Sequence, residues 1–192
     1  MQLKTLSLGL AITLASSVTL AAPVDYKIDP THTATVFSWN HFGFSTPSAN
    51  FTNIQGVIKV DNEKPANSSV EVTIPLSSVN TNVAALDKEF QEEAWFNAAK
   101  YPNITFKSTK VETKDKKHFK ITGNLTVKGV TKPVVLNAIL NKQGEHPMAK
   151  VPAIGFNATT SFDRSAFGIG NYVPNVGDKI TVNITTEATA AK

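Results

Sequence analysis

Alternation of apolar and polar residues runs through most of this chain, and a period of two marks β-strands with one buried face. Residues 35–41 place Phe37, Trp39 and His41 on one side. Residues 70–74, 104–108 and 119–127 alternate in the same way, and 57–60, 134–140, 156–162 and 179–187 complete a set of about eight strands. Lys128-Gly129, between two such runs, predicts a tight hairpin turn, and Lys114-Asp115-Lys116-Lys117 a hairpin tip. No internal repeat or linker is visible, so one domain follows. About eight antiparallel strands around one core can form a sandwich or a closed barrel with room for a ligand. Alternation does not choose between them.

One stretch, 82–99, breaks the pattern. Val83, Leu86, Phe90 and Ala94 recur three or four apart, which predicts one face of an amphipathic helix inserted between strands, either continuous or followed by a broken turn. Asn82 is placed to cap its start, and Pro102 prevents continuation.

The N-terminus reads as an export signal. Lys4 precedes an uncharged stretch, 6–18, that is shorter than the roughly 20 residues a membrane span needs. It ends in Thr19-Leu20-Ala21-Ala22-Pro23, so cleavage after Ala21 is expected, leaving a mature domain of 22–192. There is no cysteine, which excludes lipid attachment at that site, thiol nucleophiles and thiolate metal centres. Six Asn-x-Ser/Thr triplets occur, several inside expected strands where a glycan would obstruct packing. Together these favour a bacterial periplasm, or secretion, as the compartment.

The chemistry-bearing residues are sparse. The net charge of +4 is dispersed, and Arg164 is the single arginine, so a nucleic-acid surface is not expected. His32, His41, His118 and His146 are scattered; the odd spacing of the first two argues against a shared metal site. No nucleophile, phosphate-loop or metalloprotease motif is present, and Glu92-Glu93 reads as a solvated face. Asp163-Arg164-Ser165-Ala166-Phe167-Gly168 holds the one guanidinium fork, either in a salt bridge to Asp163 or another acid, or against a ligand's polar head. The aromatic residues are either a packed core or the wall of an apolar cavity.

Several segments, taken in order, resemble a known family. They are 24–29, His32-Thr33-Ala34, Phe37-Ser38-Trp39-Asn40-His41-Phe42-Gly43, 51–56, Leu86-Asp87-Lys88-Glu89-Phe90, 101–109, 123–134 and 163–168. Over essentially the whole mature chain they resemble the YceI-like family of periplasmic polyisoprenoid-binding proteins. The resemblance implies an all-β fold, an eight-stranded antiparallel lipocalin-like barrel with one helical insertion. It also implies an amphiphilic isoprenoid inside, its tail in an apolar tunnel and its head near the mouth, and no catalysis. One departure stands out: many relatives carry Arg-Asp-x-His-Leu on the helix, where this chain has Leu86 and Glu89 at the Arg and His positions.

The expectation is therefore a periplasmic carrier, monomer or homodimer, of a polyisoprenoid or isoprenoid quinone. No catalytic residue, metal or cofactor is expected, and no transmembrane segment after leader removal. The expected lining is Phe37, Trp39, His41, Phe51, Phe90, Phe106, Phe156 and Phe162, with Arg164 near the polar end and Ala138 facing inward. The alternatives are a filled barrel serving as an interaction module, or an enzyme acting on isoprenoid lipids through His41 or Asp163.

Overall fold

The computed structural model describes residues 22–191, so the expected leader, 1–21, lies outside the described residues. The strands are β1 (Val24–Ile28), β2 (Ala34–Ser38), β3 (Ser48–Phe51), β4 (Gln55–Val60), β5 (Ser69–Pro75) and β6 (Val79–Asn80). After the helix α1 (Ala84–Gln91) come β7 (Asn103–Thr113), β8 (His118–Val127), β9 (Val130–Glu145), β10 (Pro152–Asp163) and β11 (Lys179–Ala190).

Hydrogen bonding runs β1-β4-β5-β7-β8-β9-β10-β11 and returns from β11 to β1, so eight antiparallel strands close into a barrel. The remaining short strands extend three of these eight beyond a break. β2 continues β1 along β11, β3 leads into β4, and β6 continues β5, with Phe37 opposite both Val182 and Ala49, and Phe51 opposite Val79. The alternation that could not separate sandwich from barrel is thus resolved by closure, which removes exposed sheet edges.

The first of these breaks has a local cause. Between β1 and β2 the carboxylate of Asp29 accepts hydrogen bonds from the Thr31 amide (2.8 Å) and hydroxyl (2.6 Å) and lies 2.8 Å from His32 Nδ1. These bonds, the Thr31 hydroxyl first, lower the Asp29 pKa to about 2. Between β8 and β9, Lys128 and Gly129 both have positive φ (50° and 75°), the geometry of a tight primed hairpin turn.

The helix differs from its expected bounds. It ends at Gln91, and Glu92 is extended (φ −68°, ψ 163°). Trp95 and Phe96 are sequence neighbours that both pack over the barrel core, which a continuous helix would set about 100° apart. The break turns both inward, while Ala94 and Val83, assigned to the apolar face, are exposed. Asn82 does not cap the helix: it has φ 62°, and Asp87 instead accepts the Thr81 amide and hydroxyl, both at 2.6 Å.

Gly56 is fixed by contact. A Cβ there would sit 2.2 Å from the Glu71 carbonyl oxygen of the adjacent strand, and backbone cannot yield cheaply. Gly56→Ala is expected to destabilise the barrel by about 1–3 kcal/mol, read as a thermal midpoint several degrees lower. Gly144→Ala, with nothing within 4 Å of the added carbon, is the matched control.

Candidate ligand-binding cavity

Inward-facing residues follow the period-two register. β10 contributes Phe156, Ala158, Thr160 and Phe162; β11 contributes Ile180, Val182, Ile184 and Thr186; β9 contributes Val134, Leu136 and Ala138. Instead of meeting at the axis they enclose a cavity of about 630 Å³. At one end Tyr26, Ile28, Ile154, Ala188 and Ala190 pack as a separate cluster, and Ile28 of that group bounds the cavity. The small alanines let the chain close there without filling the space above.

The opposite end is covered by aromatic side chains from α1 and the turns after it. Phe90 lies 5.8 Å from Trp39 and 5.2 Å from Trp95, ring centre to ring centre, and Phe51 meets Phe96 at 6.0 Å. Such tilted and edge-on pairs hold geometry as well as bury area. Beside them, His41, Phe42, Pro47, Glu89, Trp95 and Tyr172 line the cavity while retaining solvent exposure, and they form its mouth.

Polar atoms in the wall are few and mostly hydroxyls. Thr33, Thr35, Thr160 and Thr186 occupy inward positions, and the Thr33 and Thr186 hydroxyls bond to each other at 3.0 Å. At the mouth the Trp95 indole donates to the Glu89 carboxylate at 3.0 Å. Glu89, one of the two helix positions noted in the sequence as departing from the pattern that the resemblance implies, is a cavity-lining group.

All nine residues singled out from the sequence, Phe37, Trp39, His41, Phe51, Phe90, Phe106, Phe156, Phe162 and Arg164, lie in the cavity wall, as does Ala138. Two of them need correction in detail. His41 is not part of a strand: β2 ends at Ser38, and the chain turns outward so that His41 bridges Ser45 and Val176 at the rim. Arg164 makes no salt bridge with Asp163. Its Nε donates to the Gly177 carbonyl (3.0 Å), Nη1 to Ile169 (2.7 Å), and Nη2 to Asn171 and Val176 (both 2.8 Å).

Four of the five guanidinium N–H groups are thereby spent on the loop 168–177, leaving one on Nη1. Most of the fork is thus committed to the loop, and Arg164 faces the cavity with its remaining donor. Burial pushes the Arg164 pKa down, opposed by the nearby Asp178 charge. Burial also raises the Asp178 pKa, but hydrogen bonds from the Ser165 hydroxyl and amide outweigh it and leave the carboxyl below its ordinary range.

Sequence reasoning missed the threonine strip and the loop 168–177. The threonines carry a readable signal, since they share the inward parity of their apolar neighbours. The loop carries only the absence of charge from 165 to 177. Among the described residues no three His, Asp or Glu side chains come together as a metal ion would require. Nor is any helix among them long and apolar enough to cross a membrane.

Comparison with known proteins gives a consistent match. The YceI-like domain profile aligns with residues 26–188. Protein YceI of Escherichia coli O157:H7 is 37% identical over 188 residues, covering 95% of this chain and 97% of that protein. The crystal structure of the Campylobacter jejuni YCEI protein superposes with a TM-score of 0.69 at 26% identity, covering 100% of both chains. A polyisoprenoid binding domain from Saccharophagus degradans, implicated in plant cell wall breakdown, shares the fold (TM-score 0.65, 14% identity, covering 88% of this chain and 99% of that one).

Proposed function

Because this chain belongs to the YceI-like family, we propose that it is a carrier for a long-chain amphiphilic lipid, a polyisoprenoid or isoprenoid quinone, held in the barrel. On this reading it works in the periplasm after loss of residues 1–21. The observation that carries the proposal is the cavity of about 630 Å³ with an almost wholly apolar wall, open at one aromatic rim. A filled interaction module has no use for such a space. An enzyme would need a nucleophile and base set against it, and the two candidates, His41 and Asp163, lie exposed at the rim and on the outer face. The polyisoprenoid-binding description of the Saccharophagus degradans neighbour supports the same ligand class.

Few polar contacts are needed for such binding. Each buried CH₂ contributes about 0.8 kcal/mol, and ordering costs keep the net affinity well below the sum. Specificity then comes from tail length and shape. Both tryptophans of the chain, Trp39 and Trp95, line the cavity, so their fluorescence reports occupancy. Titration with polyprenols of increasing length should give saturable, one-to-one changes, with affinity rising about tenfold or more per isoprene unit until the cavity is full. Affinity independent of chain length would refute the proposal.

A further inference from the structure

We propose that the cavity mouth docks directly on a lipid surface, through the paired loops 40–47 and 168–177. The inference deepens the carrier reading and rests on it for the identity of the cargo. Four exposed apolar side chains crown these loops: Phe44 (92% exposed), Tyr172 (66%), Phe42 (50%) and Val173 (36%). Apolar groups concentrated this way on a protein surface mark an interaction site. Phe42 and Tyr172 are also cavity wall, so the patch and the mouth are one continuous apolar surface.

The occupant follows from charge and backbone chemistry. Neither loop contains a single Asp, Glu, Lys or Arg. A specific protein partner is usually met by a polar rim around an apolar centre, with charged groups at its edge; the polar side chains of these two loops are all uncharged Asn, Ser, Thr and the His41 imidazole, and the exposed large groups are apolar. Tyr settles at a membrane–water interface, and Phe is among the side chains that peripheral proteins bury at the headgroup–acyl boundary.

Insertion also demands that backbone groups be paired within the protein, because lipid offers none. Four amides of these loops are paired this way, two between the loops and two within them. The Phe42 amide donates to the Asn175 carbonyl (2.9 Å), Gly177 to Asn40 (2.8 Å), Phe44 to His41 (3.0 Å) and Val176 to Tyr172 (2.8 Å). The tip is thus a built protrusion able to enter the interface with its hydrogen bonds intact. A water-insoluble tail could then pass between bilayer and cavity without crossing water.

The test is flotation of the mature protein with phosphatidylcholine vesicles, whose zwitterionic headgroup has no net charge, so that adsorption to an anionic surface contributes nothing. Wild type should float with the vesicles, and Phe44→Ser, which is not cavity wall, should bind about tenfold less, the transfer of one phenyl ring. Met148→Ser, an equally exposed site (87%) at the opposite end of the barrel, should bind as wild type does. Fluorescence titration with a polyprenol in detergent, run on the same proteins, should be unchanged by Phe44→Ser, which separates loss of docking from loss of the carrier function. Failure of wild type to float, or equal flotation of Phe44→Ser, would overturn the proposal. So would a wild-type dimer that Phe44→Ser converts to monomer, because the tip would then be a contact between copies.

Discussion

Replacing Arg164 with leucine is expected to cost about 3–5 kcal/mol of stability, the range for removing one partner from a buried charged contact, although no salt bridge is lost. The guanidinium satisfies four carbonyl oxygens, of Gly177, Ile169, Asn171 and Val176, from a position that is 7% exposed. Without it these acceptors lose their donors where water has little access, and each such loss costs about 1–3 kcal/mol before the loop relaxes. Arg164→Lys keeps the charge but brings three donors at a point instead of a planar fork, so it should recover only part of the loss. Chemical denaturation of the three proteins measures this. A cost below about 1 kcal/mol for leucine would show that the loop finds other donors, and that Arg164 is not what holds it. Because the same loop carries Tyr172 and Val176, the leucine variant should also release a bound lipid faster.

The second large effect concerns the cavity itself. Ala138 is 3% exposed, lines the cavity and pairs across the sheet with Ala158, another small inward residue. In a packed core, Ala138→Trp would be overpacked and unstable. In a hollow barrel the indole has somewhere to go. The variant is therefore expected to keep a thermal midpoint close to wild type and to lose roughly 100-fold in polyprenol affinity, equivalent to the burial of three or four methylenes. Asn137→Trp places the same ring on the exposed outer side of that strand and should leave binding unchanged. Unfolding of Ala138→Trp together with full binding by its residual folded fraction would mean that the ligand lies elsewhere.

Much of this architecture was legible in the sequence for one reason: the barrel wall keeps a two-residue period, interrupted by register shifts at Ser108/Lys110 and Gly155/Phe156. That period placed Phe37, Phe106, Phe156 and Phe162 inward, and Lys128-Gly129 at a turn. Closure was not legible from alternation, because β1 with β11 is a pairing of the chain's two ends and no local pattern encodes it; the family resemblance supplied it. Where the helix stops was not legible, because Val83 and Ala94 fit a helical spacing and the spacing alone leaves a continuous helix and a broken turn both open, whereas packing Trp95 and Phe96 side by side over the core requires the break. Arg164 was misread because its partners are carbonyl oxygens, and backbone acceptors leave no trace in residue identity. The mouth was missed for a similar reason. Loops 40–47 and 168–177 have no period, and only their hydrogen bonds across 130 or so residues bring Phe42 beside Asn175 and Asn40 beside Gly177.

The most direct test of the carrier function is the native mass of the protein, exported from a bacterial host and purified without detergent. The account predicts a species heavier than the polypeptide by one lipid, several hundred daltons, with the excess lost on organic extraction and the lipid identified as an isoprenoid in the extract. The denatured mass of the same sample reads the start of the mature chain, expected at Ala22. A polypeptide of bare mass that also fails to take up added polyprenol would contradict the account.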